Sequence, residues 1–522
     1  MKRLICTICV AAMLLWIFPL SVDADAADNG ILTDTLQWKL EDGILTISGN
    51  GRMPDYQHAG MESPWHDDRE QITSIIVEPG ITHIGQRVFY GCINVTSVSL
   101  PEGLYSIGDN GFAHCEKLAS VQLPDSLWLI GKGTFSDCVS LESITIPTGV
   151  KRIEEHTFYG CTSLSHISLP QSVTSIGEYA FAYCQALGTI ELPEGLQVLD
   201  GYAFWRCSGL EHITLPPLLQ KIEEHTFSSC TSLTQVNFPR ELQRIGDYAF
   251  YDCFKLANVS LPEKLTHIGI STFRSCISLE KIALPEGVTV IGSDAFADCY
   301  NLSDVTLSPK TTHISFDAFN GCTSLTTLAI PPSVESIGSL PSSLRQIHIS
   351  DLAAWCGIDF FDAGYNGLSN AGLYLNGELI TDMVIPEGVA EISAFAFADY
   401  QYLRSVTVPE GVTLIGGKAF YNCANLSRLV LPASTTKIST GAFQHCSALT
   451  ELYFNGTKQQ LAEVQVYEGN DALINQQWRL TTKNTLLAIL PNALITLILN
   501  AVVISVCFIL EHRQRTRYLP RF

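Results

Sequence analysis

The sequence predicts an α/β repeat solenoid of short strands and short helical turns, followed by one C-terminal transmembrane helix. Three observations carry that expectation. Phenylalanine recurs as Phe-x-x-Cys at 89, 112, 135, 158, 181, 204, 227, 250, 273, 296 and 319, in steps of 23 residues, and Phe397, Phe420 and Phe443 resume the same step. The chain is 46 % hydrophobic and 16 % charged, which argues against disorder. Residues 486–510 then run without a charge.

The elements follow in chain order. Lys2 and Arg3 precede an apolar run over residues 4–20, and Ala24 and Ala26 supply an A-x-A pattern, so residues 1–26 read as a secretory signal peptide. Cys6 and Cys9 imitate a redox or metal pair, but they lie inside that run and leave with it. Residues 27–72 are expected to form a β-hairpin cap, with Asp42-Gly43 as its turn. The array covers residues 73–337 and, after an irregular insertion at 338–380, residues 381–454.

One unit shows the logic. Ile167 and Leu169 alternate, as in a strand with one buried face. Pro170 ends the strand, because it brings no N–H to a ladder. Val173 and Ile176 mark a second short extended piece, and Gly177 permits a sharp turn. Ala180, Phe181, Cys184 and Leu187 follow at spacings that suit a short helical turn facing inward. One unit cannot enclose its own apolar side, whereas stacked units cover one another. A fixed period of this length, rich in Leu and Ile, is the signature of a leucine-rich repeat solenoid.

Residues 455–484 flank the array, and residues 485–510 form the expected membrane span. As a helix the uncharged run is about 37 Å long, against roughly 30 Å of hydrocarbon. Behind it, Arg513, Arg515, Arg517 and Arg521 mark residues 511–522 as a cytoplasmic tail. The expected place is therefore the cell membrane, single-pass, with the ectodomain extracellular and the short tail cytoplasmic. That tail has no room for a signalling domain.

The repeat resembles the BspA-type leucine-rich repeats of bacterial and protist surface proteins, over about residues 73–454. Three flanking stretches resemble accessory pieces of that family: LQWKLEDGILTISGNGRMPDY at 36–56, AWCGIDF…GLYLNGELI at 354–380 and LYFNGTKQQLAEV at 452–464. The resemblance implies a secreted or surface-anchored binding protein of the adhesin kind, without implying a ligand. Many relatives carry an LPxTG wall-sorting motif. This chain has none, which fits a membrane anchor instead.

Thirteen of the 17 cysteines stand in the repeat column, and Tyr400 takes that place once. Neighbouring column positions are about 5 Å apart, inside the disulfide range, so distance alone does not exclude bridges. Side chains in one ladder point the same way, however, and thirteen is odd. They read as buried free thiols beneath the Phe column. No unit holds paired metal ligands.

The formal charge of −21, with no basic stripe, argues against a nucleic-acid partner. No HExxH, GxSxG, P-loop or GxGxxG motif is present, so no enzyme and no cofactor are expected. The sequence IEEHTF at 153–158 and 222–227 tempts a metal reading, but the copies are three coils apart, about 14 Å. Function is expected in surface columns. Residues flanking the strand's central apolar position, such as Ser143 and Thr145 or His212 and Thr214, form a face rich in hydroxyl and amide groups. That face is either a docking surface or simply a soluble one.

A narrower candidate site is aromatic. Two residues before the Phe, consecutive coils carry His156, Tyr179, Tyr202, His225 and Tyr248, with Trp205 close by. Elsewhere the same column holds Arg87, Asn110, Gly133, Ser271, Asp294 and Asp317. These rings either contact an extracellular protein or glycan, or pack across adjacent turns. The 338–380 stretch is likewise either a binding loop or a seam between two repeat blocks.

Overall fold

Each repeat becomes one coil with two parallel β-ladders and a third side made of turns. The computed structural model describes residues 28–57, 62–361, 366–474 and 476–481. The expected signal peptide, membrane span and cytoplasmic tail lie outside these residues. Among the described residues no helix is long and apolar enough to cross a membrane. Contacts divide the chain into two units, Met1–Ser172 and Val173–Phe522.

In the first unit the strands Asp28–Thr33, Leu36–Glu41 and Ile44–Gly49 pair antiparallel. Asp42 and Gly43 make the tight turn with φ of 49° and 76°, as the Asp-Gly pair predicts. Ile44–Gly49 then pairs in parallel with Ser74–Val77, and that strand with Ser97–Ser99, so the hairpins lead directly into the array. A second ladder joins Gly51–Arg52, Ile81–Ile84, Ser106–Ile107 and Leu129–Ile130.

In the second unit one ladder runs without a break through Lys221–Ile222, Arg244–Ile245, His267–Ile268, Val290–Ile291, His313–Ile314, Ser336–Ile337 and Asp359–Phe360. The last of these strands belongs to the stretch expected to be irregular. Two more of its strands extend the array, since Gln346–Ile349 pairs with Thr327–Ile330 and Gly372–Leu375 with Gln346–Ile349, whereas Glu378–Leu379 folds back antiparallel on Gly372–Leu375. The sequence hides this because the step changes. Leu328, Ile347 and Leu373 occupy one column, while the Phe turn is replaced by the helix Leu352–Cys356.

The expected helical turn after each glycine is corrected by the backbone. The positions two before and two after each Phe are left-handed, as at Tyr179 (φ 54°) and Tyr183 (φ 63°), or Tyr202 (φ 57°) and Arg206 (φ 58°). A right-handed helix cannot contain such residues. Consecutive turns form instead, and the amides divide their work. Ala180, Ala182 and Cys184 donate within the coil to Gly177, Tyr179 and Phe181, whereas Tyr179, Phe181 and Tyr183 donate to Gly201, Ala203 and Trp205 of the next coil. Every second amide is thus a rung between coils.

The Phe rings stack behind these rungs, with centroids 5.1–5.8 Å apart in the first unit and 5.2–5.5 Å in the second. The cysteines complete the seam. Eleven of the thiols donate to the carbonyl of the Phe one coil back, as Cys138 does to Phe112 (3.2 Å) and Cys230 to Phe204 (3.2 Å). All fourteen cysteines among the described residues are free and buried.

The ends of the blocks are closed by side chains that imitate the missing coil. A Phe N–H normally donates to the residue before the next Phe. Where no earlier Phe exists, an indole N–H does it: Trp65 donates to Val88 (3.2 Å) and Trp355 to Ala396 (2.9 Å). At the far end, Asn470 accepts from the Phe443 N–H (2.9 Å) and donates to Ser439 and Tyr467.

Candidate functional site

The aromatic column owes its geometry to the left-handed turn. A residue at φ near +55° projects its side chain outward beside its own coil, and the inter-coil rung sets the next ring alongside. In the second unit Tyr179 and Tyr202 stack at 4.5 Å, Tyr202 and His225 at 4.6 Å, and His225 and Tyr248 at 4.6 Å, with planes within 20°. Trp205 meets this stack edge-on, 6.1 Å from Tyr179 and 6.0 Å from Tyr202, and lies 4.9 Å from Tyr183. The Arg206 guanidinium sits over Trp205 (4.9 Å) and Tyr183 (5.5 Å).

All of these rings are half-buried. Tyr202 and His225 are each sandwiched between two neighbours, so they offer edges and polar tips rather than faces. Partial burial, followed at Tyr179 by the neighbouring Tyr202 and at both by the carboxylates of Glu178 and Glu224, pushes the Tyr179 and Tyr202 hydroxyls above the usual range. Both therefore remain hydrogen-bond donors at neutral pH. Burial pulls His225 down, against the opposing pull of Glu224 and Asp247, and its Nδ1 is buried with no hydrogen-bond partner among the described residues. The ladder thus combines neutral donors, one cation and an acidic border.

Four of the six sequence candidates form one stack, and Trp205 buttresses it. His156 belongs to the first unit, where its ring lies 5.4 Å from Tyr159 and its Nδ1 lies 3.3 Å from Glu155. The two IEEHTF copies fall in different units, and among the described residues no group of His, Cys, Asp and Glu is arranged to hold a metal ion.

The hydroxyl-rich sheet face is present on most coils: Ser143 and Thr145, His212 and Thr214, and Gln235 and Asn237 are exposed on either side of a buried centre. In the last block it differs, since Ser405 and Val430 are buried. Sequence reading also missed an open groove of about 520 Å³ beside Arg244, His267, Ile270 and Val290. Its floor is Gly269 and Gly292, where a Cβ would meet backbone at 2.6–3.1 Å.

A coiled stack with thiol and Phe columns and two strand ladders defines a leucine-rich repeat protein. The family model described as "BspA type Leucine rich repeat region (6 copies)" matches residues 67–184, 129–257, 243–353 and 371–470. The chain belongs to that family. Among solved structures it is similar to a leucine-rich repeat protein of Bacteroides ovatus, with 23 % identity over 87 % of this chain and 100 % of that one, at a TM-score of 0.51. A leucine-rich repeat protein of Eubacterium ventriosum shares 23 % identity over 76 % of this chain and 95 % of its own, at a TM-score of 0.44. No curated protein matches the chain.

Proposed function

We propose that the chain is a membrane-anchored cell-surface protein that binds an extracellular protein or glycan, in the manner of an adhesin. The observation that supports this most is the concentration of half-buried aromatic side chains on successive coils, on a repeat scaffold of a binding family. Rigid rings with polar tips give contact area at little entropic cost. Each coil is held by backbone rungs and by the Phe and thiol columns, so the ligand-facing columns are set before binding. The uncharged run at 485–510 and the arginines behind it supply the anchor in this reading.

A second reading is a spacer of the cell envelope with no specific ligand. It is favoured by the stacking itself, which occupies ring faces within the protein. Adhesion separates the two. Cells displaying the chain should adhere to a surface coated with its ligand, and a variant carrying Tyr179→Gly, Tyr202→Gly and Trp205→Ala should lose most of that adhesion. Glycine is chosen at 179 and 202 because both positions have positive φ. Equal adhesion by both forms would remove the ladder from the account.

A further inference from the structure

The first unit carries two aromatic residues whose surroundings are the reverse of the ladder's. Tyr105 is 49 % exposed and Trp128 is 57 % exposed. They are direct neighbours on adjacent coils: Trp128 N–H donates to the Tyr105 carbonyl at 3.0 Å, and the strands that follow pair Ser106 with Leu129 and Ile107 with Ile130. Unlike Tyr202 or His225, neither makes a ring stack or a cation contact among the described residues. The same column elsewhere holds small or polar residues, including Thr82, Thr174, Gln197, Gln220 and Gln243. Exposing two large rings is unfavourable by itself, because each leaves apolar area in water that burial would remove.

We propose that Tyr105 and Trp128 form a stacking platform for a neutral polysaccharide. This extends the surface-binding reading to a second place and to one ligand class. Two features select that class. The adjacent turns place the carboxylates of Glu102 and Asp125 in solvent, against the exposed Lys151 on the coil after Trp128, and the chain carries a net charge of −21, so on balance an acidic polymer is repelled. The platform is two rings wide with polar neighbours, far short of the roughly 800 Å² per partner that a stable protein interface needs. A sugar ring needs only what is present. Its C–H face covers an aromatic face, and its hydroxyls reach the flanking polar groups. Successive coils, about 4.8 Å apart, offer successive rings to successive sugars.

The test is tryptophan emission of the full-length chain in detergent, titrated with cello-, xylo-, malto- and chito-hexaose, with polyglutamate and a basic peptide as non-sugar probes. Trp128 is the most exposed of the described tryptophans: Trp38, Trp65 and Trp355 are buried, and Trp205 and Trp478 are half-buried. At least one hexaose should shift the emission saturably and protect it from acrylamide. That response should vanish in Trp128→Ala and weaken at least tenfold in Tyr105→Ala. It should persist in the Tyr179, Tyr202 and Trp205 variant, which separates this platform from the ladder. No response to any hexaose overturns the proposal. So does a response that survives Trp128→Ala, or one that a peptide probe reproduces. Both platform residues are exposed, so these variants retain the fold, and circular dichroism checks that they do.

Discussion

At the scale of the residue, the recurring cysteine is explained by one hydrogen bond. The Phe carbonyl already accepts from the Cys amide of its own coil, as in Cys230 to Phe227 (3.2 Å). Its second lone pair would be buried and idle without the thiol of the next coil, which reaches it from Cys253 at 3.2 Å. Alanine keeps the backbone but loses that donor and leaves a cavity. Cys230→Ala should therefore destabilise the chain by about 1–2 kcal/mol, read as a lower urea midpoint under reducing conditions; an unchanged midpoint would leave the thiol as mere filler. Tyr400 supports the same logic. Its coil follows the Trp355 segment, so no Phe carbonyl lies behind it, and its hydroxyl bonds to Ile380 instead (2.6 Å). The free thiols were legible from the odd count and the parallel side chains. Their partner was not, since no spacing rule says which carbonyl a buried thiol meets. Tyr105 and Trp128 were also passed over, because only the accessible surface distinguishes them from packed aromatics.

At the scale of the element, the chain solves the ends of a ladder with single side chains. Trp65 and Trp355 provide the N–H that a preceding Phe would give, and Asn470 provides the acceptor that a following coil would give. Asn470 is fully buried and makes three such bonds. Replacing it with Ala should cost about 2–4 kcal/mol. The loss should appear first as faster amide exchange at Phe443 and its neighbours, with little change near Phe227; uniform exchange would contradict a local cap. The strands were readable from apolar alternation and proline. The turns were misread as helical because a spacing of three residues between Phe and Cys suits a helix and a chain of turns alike. A signal was present in the residues two beyond each Phe, which include Gly91, Asp137, Gly160, Ser229, Asp252 and Gly321 and have positive φ. Such residues tolerate the left-handed region and are poor helix formers. The 338–380 stretch misled for a different reason, since its core positions are kept while its length per coil is not.

At the scale of the whole molecule, the buried thiols act together. Burial raises twelve of them, with Cys138 and Cys322 pushed up to about 12. A thiol whose folded pKa lies above its unfolded value favours the fold fully below the unfolded pKa, near 8.5. Above it the unfolded chain sheds protons that the folded chain keeps, so stability falls by about 1.4 kcal/mol per thiol per pH unit. With so many thiols, the reduced chain should unfold cooperatively within roughly two pH units above 8.5, seen as loss of circular dichroism. A fold that persists at pH 11 would contradict the account of the column. The repeat and its family were evident from eleven Phe in register, because a solenoid writes its period directly into the sequence. The candidate ladder was visible as a column, but whether its rings touch one another or a ligand depends on the turn geometry.

Binding remains the claim on which the functional reading stands. The direct measurement is binding of the purified full-length chain to an array of extracellular-matrix proteins and glycans, beside the Tyr179→Gly, Tyr202→Gly, Trp205→Ala variant. The account predicts at least one saturable ligand for the chain whose affinity falls at least tenfold in the variant. Silence across the array from a folded chain would contradict it and leave the envelope spacer as the better description.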